Sequence, residues 1–335
     1  MLFLVLLAVG VLAAACGPTG GTVNIYVTPY HKLIIRDVLP FSTARADATP
    51  AKPVRIKNVH PDQSLDVRAV RITGSSAFRL AAGQDTSFSL GPGQERSILV
   101  EYRPPLITNG AKGVRHIASL LVDTSDGAQP TDEVFLRGWQ AADYENNKEP
   151  NRDEIVKTIG YTTTVGTSRP AGNLPAGEDI RSAYWRRANG SQPVELFPLA
   201  RYATRTQGAT GDTRWYVQGS SGDRRFLHNF AGGDLNGSGG ENQKLVPTPS
   251  GTTGFNPGTS AFGITMYASG AQMFSDDSLN LNGTHNFRFW PAEDRDGSRL
   301  ANTWIVGNDL GFDGDPLKNN DYQDFMWVLS NATPA

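Results

Sequence analysis

The sequence holds a single cysteine, Cys16, in 335 residues, so no internal disulfide can staple the chain in any redox compartment. Its five histidines, His31, His60, His116, His228 and His285, never fall in a His-x-x-x-His or other close ligand spacing. There is no Gly-x-Ser-x-Gly elbow, no Gly-rich phosphate loop and no cysteine nucleophile motif. No strong excess of either charge exists: 31 basic against 33 acidic residues leave a net charge of −2. Without a polybasic patch, nucleic acid is excluded as the expected partner. With so few catalytic constellations, no enzymatic activity is expected. What the chain has instead is turn residues, 36 Gly and 21 Pro, between short apolar and aromatic runs, the composition of an all-β protein.

The one long apolar run is N-terminal. It extends from Met1 to Ala15 and ends at Cys16-Gly17, too short to span a bilayer, which takes roughly 20 apolar residues. It fits the h-region of a secretory signal with small residues before the cut, although no Lys or Arg precedes it. Leu12-Ala13-Ala14-Ala15-Cys16 resembles the bacterial lipobox. That resemblance implies that residues 1–15 are a signal peptide and that Cys16 is acylated at the new N-terminus. The chain would then be lipid-anchored to a bacterial membrane, in the cell envelope, facing the periplasm or the exterior.

Residues 16–140 read as one domain. Val54–Asn58, Leu65–Ile72, Arg96–Tyr102, His116–Asp123 and Glu133–Arg137 alternate in part with period two, and Gly/Asn/Asp/Ser turns separate them. About seven strands at this spacing predict an immunoglobulin-like sandwich, here without the Cys…Trp…Cys signature. Val54–Asn58, the Leu90-Gly-Pro-Gly93 turn leading into Ile98–Pro104, Ala118–Asp126 and Val134–Gly138 resemble, in that order, the ASH/Hydin type of Ig-like domain. The resemblance implies a spacing or protein-contact role and carries no catalytic residues.

Residues 141–160 read as a polar linker followed by a short helix. Asn151 is placed to cap it, acids fill its first turn, Ile155 and Ile159 share a face, and Gly160 ends it. Residues 161–335 are again strand-like, with long Gly/Ser/Asn/Asp loops at 231–243, 249–260 and 307–324. A jelly-roll-like C-terminal sandwich with long loops is the expected fold.

The last of these loops carries the clearest chemistry. Asp313, Asp315, Asn320, Asp321 and Asp324 are oxygen donors within a short span, the ligand type a hard cation such as Ca²⁺ requires. The EF-hand pattern is absent, and a solvated loop closed by Asx turns accounts for the same residues. Asn320-Asp-Tyr-Gln-Asp324 resembles the acidic stretch that ends a C-terminal domain found in many bacterial surface proteins. This resemblance implies calcium ligation by Asp321 and Asp324, while Asn320 and Gln323 depart from the pattern. Asp294–Ser298 reads as a hairpin turn, and Asp234, Asn236 and Glu241 as a flexible Gly-rich loop or a weaker ligand set. Trp215 and Trp290 are candidates for stacking on a sugar, against the alternative that they are core residues.

The leading functional expectation is a membrane-tethered envelope lipoprotein whose C-terminal β-domain, ordered by Ca²⁺, binds a ligand of the glycan class. A structural or protein-contact subunit of an envelope assembly is the second, and a polysaccharide or cell-wall hydrolase the third.

Overall fold

The computed structural model describes residues 23–27, 35, 37–47, 49–143, 148–172, 174–203, 211–230 and 243–335. Cys16, His31 and the Asp234, Asn236 and Glu241 donors lie outside them. Among the described residues, the protein is all-β apart from one helix and two single 3₁₀ turns. No helix among the described residues is long and apolar enough to cross a membrane.

The N-terminal half is an Ig-like sandwich. One sheet joins β1 (Val23–Val27), β3 (Lys52–Asn58), β7 (Glu95–Tyr102) and β5 (Phe78–Leu80), in that spatial order. The other joins β2 (Val38–Ala44), β9 (Thr131–Ala141), β8 (Gly113–Thr124), β4 (Leu65–Gly74) and β6 (Phe88–Leu90). Alternation dictates the layers: Leu65, Val67 and Val70 of β4 and Leu120 and Val122 of β8 face Val54, Ile56, Ile98 and Val100 across one core. Phe41, Phe78 and Tyr102 close it with ring centroids 4.9–5.7 Å apart. Each such side chain contributes about 1.5–3 kcal/mol by leaving water. β2 departs from the expected series. It pairs in parallel with β9 at the sheet edge, where Pro40 is tolerated.

Helix α1 (Arg152–Ile159) forms as the sequence predicts. Asn151 Oδ1 accepts from Glu154 N at 2.9 Å, and Glu154 Oε2 accepts from Asn151 N at 2.7 Å, a reciprocal capping box. Gly160, at φ 108°, takes the left-handed conformation that ends the helix. Ile155, Val156 and Ile159 are buried in a cluster with Val38 and Trp139 of the first sandwich and Tyr202, Trp290 and Met326 of the second. Lys112 adds an ion pair to Glu154 at 2.6 Å.

The C-terminal half is a larger, jelly-roll-like sandwich whose paired strands are all antiparallel. One sheet orders β15 (Pro249–Gly251), β13 (Arg225–Phe230), β12 (Asp212–Val217), β17 (Phe262–Ala268), β10 (Trp185–Arg187) and β22 (Ala332–Pro334), with β18 (Ala271–Phe274) beside β17. The other orders β14 (Lys244–Leu245), β11 (Val194–Arg201), β21 (Phe325–Ser330), β20 (Arg299–Asn308) and β19 (Phe287–Glu293), with β16 (Gly254–Phe255) beside β11. Strands of this second sheet are buried on both faces. Phe287, Phe289, Phe325, Trp327 and Leu329 fill the space between the sheets. Trp290, Met326 and Val328 point the other way, beneath α1 and the segment carrying Tyr161, Val165 and Ala176.

Candidate metal centre

The site arises from the register of one hairpin. β20 and β21 pair Gly307 with Met326 and Asn308 with Phe325. Continuing that register sets Asp309, just past β20, opposite Asp324, just before β21. The intervening segment folds back so that Asp321 joins them, and one carboxylate oxygen from each residue lies within 4.8 Å of the others. Asp309, Asp321 and Asp324 are only 0%, 3% and 8% exposed. Two non-glycine residues flanking Asp321 take the left-handed region, Asn320 at φ 61° and Tyr322 at φ 55°. For a bulky tyrosine that is a strained conformation, sustained only where surrounding contacts over-determine it. Those contacts are present: Tyr322 is fully buried, its hydroxyl donates to His285 O at 2.9 Å, and the Arg288 guanidinium lies over its ring at 4.5 Å. Gly307 is required here, because a Cβ would meet Tyr322 O at 2.5 Å and the Trp290 ring at 3.0 Å.

Charge is poorly compensated in this nest. Asp309 Oδ2 accepts from Lys318 Nζ at 2.7 Å and from Asn320 N at 2.8 Å, while its Oδ1 has no hydrogen-bond partner among the described residues. Asp321 Oδ2 pairs with the half-exposed Arg169 at 3.4 Å, and its Oδ1 accepts from Gln323 N at 3.4 Å. Asp324 accepts a single bond, from Leu310 N at 2.8 Å. Burial pushes the Asp309 carboxyl up to about 6 despite Lys318, with Asp321 adding to the rise. Burial likewise raises Asp321 against the pull of Arg169. Asp324 is raised well above the carboxylate range, first by burial and then by the Asp321 and Asp309 charges. Three buried carboxylates thus share one buried ammonium in direct contact, with the Arg152 guanidinium reaching only the Asp321 backbone carbonyl, at 3.0 Å. The remaining charge calls for a proton or a cation.

The donor set fits a hard cation. Beside the three carboxylates, Asn320 Oδ1 and Gln323 Oε1 are buried oxygens without a hydrogen-bond partner among the described residues. Ca²⁺ takes 6–8 oxygens, many from carboxylates and amide carbonyls on a loop of this kind. The three converging carboxylates would hold the ion, with Asn320 and Gln323 as neighbouring oxygen donors in the chain, and it would supply the positive charge that the nest lacks.

The structure therefore redistributes the expected ligands. Asp321 and Asp324 converge, and Asn320 adjoins them. Asp313 and Asp315 do not: the Asp313 side chain is exposed, and Asp315 Oδ1 closes a local turn by accepting from Leu317 N at 2.8 Å. Asp309 takes their place. Its only sequence signal is its mirror position to Asp324 across the loop, visible once the loop is read as a hairpin connection.

The two candidate sugar platforms are also corrected. Trp290 does lie opposite Phe287 and Phe289, as alternation predicts, but that outer face is covered. The indole is fully buried and its Nε1 donates to Ala176 O at 2.6 Å. Trp215 stacks on Phe255 at 4.9 Å inside the sandwich. Neither offers a ring face to solvent. Asp294–Ser298 forms the turn, with Asp294 N donating to Ser298 O at 2.8 Å.

No characterised protein family and no curated protein matches the chain. Among solved structures, the ASH/PapD-like domain 7 of human CEP192 is similar at 10% identity and a TM-score of 0.24, covering 41% of this chain and 96% of that one. The YadV chaperone is similar at 11% identity and a TM-score of 0.27, covering 84% and 97%. The periplasmic chaperone SfaE is similar at 10% identity and a TM-score of 0.27, covering 75% and 96%. Likeness at this level carries no argument about function.

Proposed function

We propose that the chain is a membrane-tethered envelope lipoprotein, anchored through Cys16, whose C-terminal sandwich is a binding domain ordered by Ca²⁺. The observation that supports this reading is the convergence of Asp309, Asp321 and Asp324, buried and short of positive charge, at the mouth of the β20–β21 hairpin. Bound Ca²⁺ would neutralise the carboxylates, fix the strained 320–322 turn and hold the start of β21, a central core strand. The Ig-like sandwich would serve as the spacer between lipid and binding domain. A non-catalytic role belongs to the proposal, because the convergent acids are buried in a hairpin mouth and offer no carboxylate pair to a glycoside in a cleft.

One observation favours protein contact over a flat glycan platform. Trp139, Trp185, Trp215, Trp290 and Trp327 are all buried, and Trp304 is half-buried with its Nε1 donating to Ala332 O. No tryptophan row adjoins the 307–324 loop.

Thermal unfolding of the protein in Ca²⁺ and in chelator tests the cation reading. Stabilisation by about 2.7 kcal/mol is expected at a hundredfold excess of Ca²⁺ over its dissociation constant. Superimposed melting curves would reduce the cluster to a protonated structural nest. Replacement of Cys16 with Ser should release the protein from the membrane fraction, and unchanged fractionation would exclude the anchor.

A further inference from the structure

A second polar centre lies in a cleft of about 310 Å³ between residues 180–183, the 3₁₀ turn Asp277–Leu279 and the start of β19. Most of its polar groups are already committed. Asp276 accepts from Tyr184 Oη at 2.6 Å and from Ser278 N and Oγ at 3.0 and 2.7 Å. Ser275 Oγ accepts from Ile264 N at 3.0 Å and donates to Ala183 O at 2.7 Å. Three lining groups remain, one of them Asp277 Oδ1, a buried oxygen with no hydrogen-bond partner among the described residues. His285 Nδ1 is bound to Asp277 Oδ2 at 2.8 Å, which leaves Nε2 with no partner among the described residues. Arg181 is exposed and makes no ion pair or hydrogen bond among the described residues.

We infer that this cleft binds a monosaccharide unit bearing an anionic group, with Arg181 pairing the anion and His285 Nε2 accepting from a hydroxyl. The roles follow from the partners. A carboxylate beside Nδ1 keeps the proton there and leaves a lone pair on Nε2, so His285 seeks a donor. Arg181 has only donors and a fixed positive charge, and its planar fork matches a carboxylate or phosphate. Ile180, Ala183 and Phe287 supply apolar wall for a C–H face. The volume lies at the lower end for small-molecule sites, room for one ring and not for an extended chain. A metal is disfavoured. Asp309, Asp321 and Asp324 are the one group of three or more potential ligands that converges among the described residues, and the cleft's own candidates, Asp276, Asp277 and His285, do not converge as such a group.

The cleft is also wired to the carboxylate nest through three consecutive residues. Thr284 Oγ1 accepts from Asp313 N at 3.0 Å. His285 O accepts from Lys318 Nζ at 2.7 Å, the same ammonium that pairs with Asp309, and from Tyr322 Oη at 2.9 Å. Asn286 Nδ2 donates to Asp309 O at 2.8 Å and to Gly311 O at 2.7 Å. Ordering the nest therefore positions the His285 ring, so sugar affinity should rise in Ca²⁺. This coupling, though not the cleft itself, rests on the cation reading above.

The test is ligand-observed NMR titration of the protein with glucuronate, glucose 6-phosphate and glucose, in Ca²⁺ and in chelator. At least one anionic sugar should bind about tenfold or more tightly than glucose. Whichever of the two binds identifies the anion as carboxylate or phosphate. Arg181→Ala, an exposed change that leaves the melting temperature alone, should remove that preference, and Arg181→Lys should restore part of it. His285→Asn should weaken binding with unchanged anion preference. No binding of either anionic sugar in Ca²⁺, or equal binding by Arg181→Ala, overturns the inference. Binding that depends on Arg181 but is the same in Ca²⁺ and chelator keeps the cleft and removes only the coupling. Ca²⁺ stabilisation without sugar binding keeps the cation reading and overturns the cleft and its coupling together.

Discussion

The two sandwiches handle polarity in opposite ways. Among the described residues, the buried polar side chains of the N-terminal sandwich are neutral: Thr43, Asn58, Thr124 and Gln140. Asn58 is typical, with its amide donating to three backbone carbonyls at 2.8–3.2 Å. Ion pairs of that half, such as Arg71–Asp123 at 3.1 Å, remain at the surface. From Arg152 onward the buried set includes Arg152, Arg201, His228, Arg288, Asp309, Asp321 and Asp324. Burying ionisable groups costs several kcal/mol each unless they are paired. A two-sheet sandwich can be built without them, as the first one is. The contrast is between a half packed with neutral side chains and a half that buries ionisable ones.

The strongest challenge to that contrast is removal of one partner from a buried pair. Arg288 and Asp179 form an ion pair with side chains 0% and 4% exposed, and Arg288 also donates to Gly172 O at 2.9 Å. Arg288→Ala should destabilise the protein by about 3–5 kcal/mol, read from denaturant midpoints, because Asp179 is left buried and unpaired. A loss comparable to that of a surface pair would break the comparison.

Acid should act on the second sandwich through two opposed groups. His228 is fully buried, with Trp327 Nε1 donating to Nε2 at 3.3 Å and Nδ1 at 3.1 Å from Thr252 O. Burial pulls it down to about 4 from an ordinary value of 6.5. Its contribution is therefore complete above pH 6.5 and is lost as pH falls toward 4, by about 3 kcal/mol. Asp309 runs the other way. Raised from 3.8 to about 6, it lends stability that is complete below 3.8 and lost as pH rises through 6. In chelator, His228→Gln should then gain stability from pH 7 to 5, measured relative to its own value at pH 7. Saturating Ca²⁺ should abolish that gain. A His228→Gln profile that is flat in chelator would show the carboxylates to be neutral already.

Within the loop, Asp309→Asn should remove most of the Ca²⁺ stabilisation, about 2.7 kcal/mol at a hundredfold excess of the ion. Asp313→Asn and Asp315→Asn should leave it intact. Equal effects of all three in the same melting experiment would mean that the ion is held diffusely by the loop. The smallest effect belongs to the first sandwich, where Arg71→Ala should leave the melting temperature unresolved from wild type. A clear drop would show that surface pairing matters more in that half than its solvent exposure allows.

Local pattern made much of this legible. Period-two runs marked β3, β4, β7, β8 and β9 in the first half, because alternation is written residue by residue, whereas β11, β17, β19 and β21 are buried on nearly every residue and carry little such signal. Asn151, Glu154 and Gly160 marked both ends of α1, because caps act within four residues. β2 was not marked: Val38–Ala44 contains Pro40 and is buried on nearly every residue, so it shows no alternation. Trp290 was placed on the correct face of its strand, yet its burial was not, because α1 and residues 161–180 cover that face from far away in the chain.

The sequence by itself determined the all-β class, the strand periodicity, the capped helix and the acidic character of the final loop. Each of these is a short-range property of residue type and spacing. Only the tertiary structure decided which acids meet. Asp309 and Asp324 are 15 positions apart and become neighbours through the β20–β21 register, whereas Asp313 and Asp315, nearer in sequence to Asp309, are carried outward by the turn between. It also decided that Arg181, Asp277 and His285, which no motif links, line one cleft. Convergence of side chains is set by strand pairing and by what covers each sheet face, and neither is written in any local stretch of the chain.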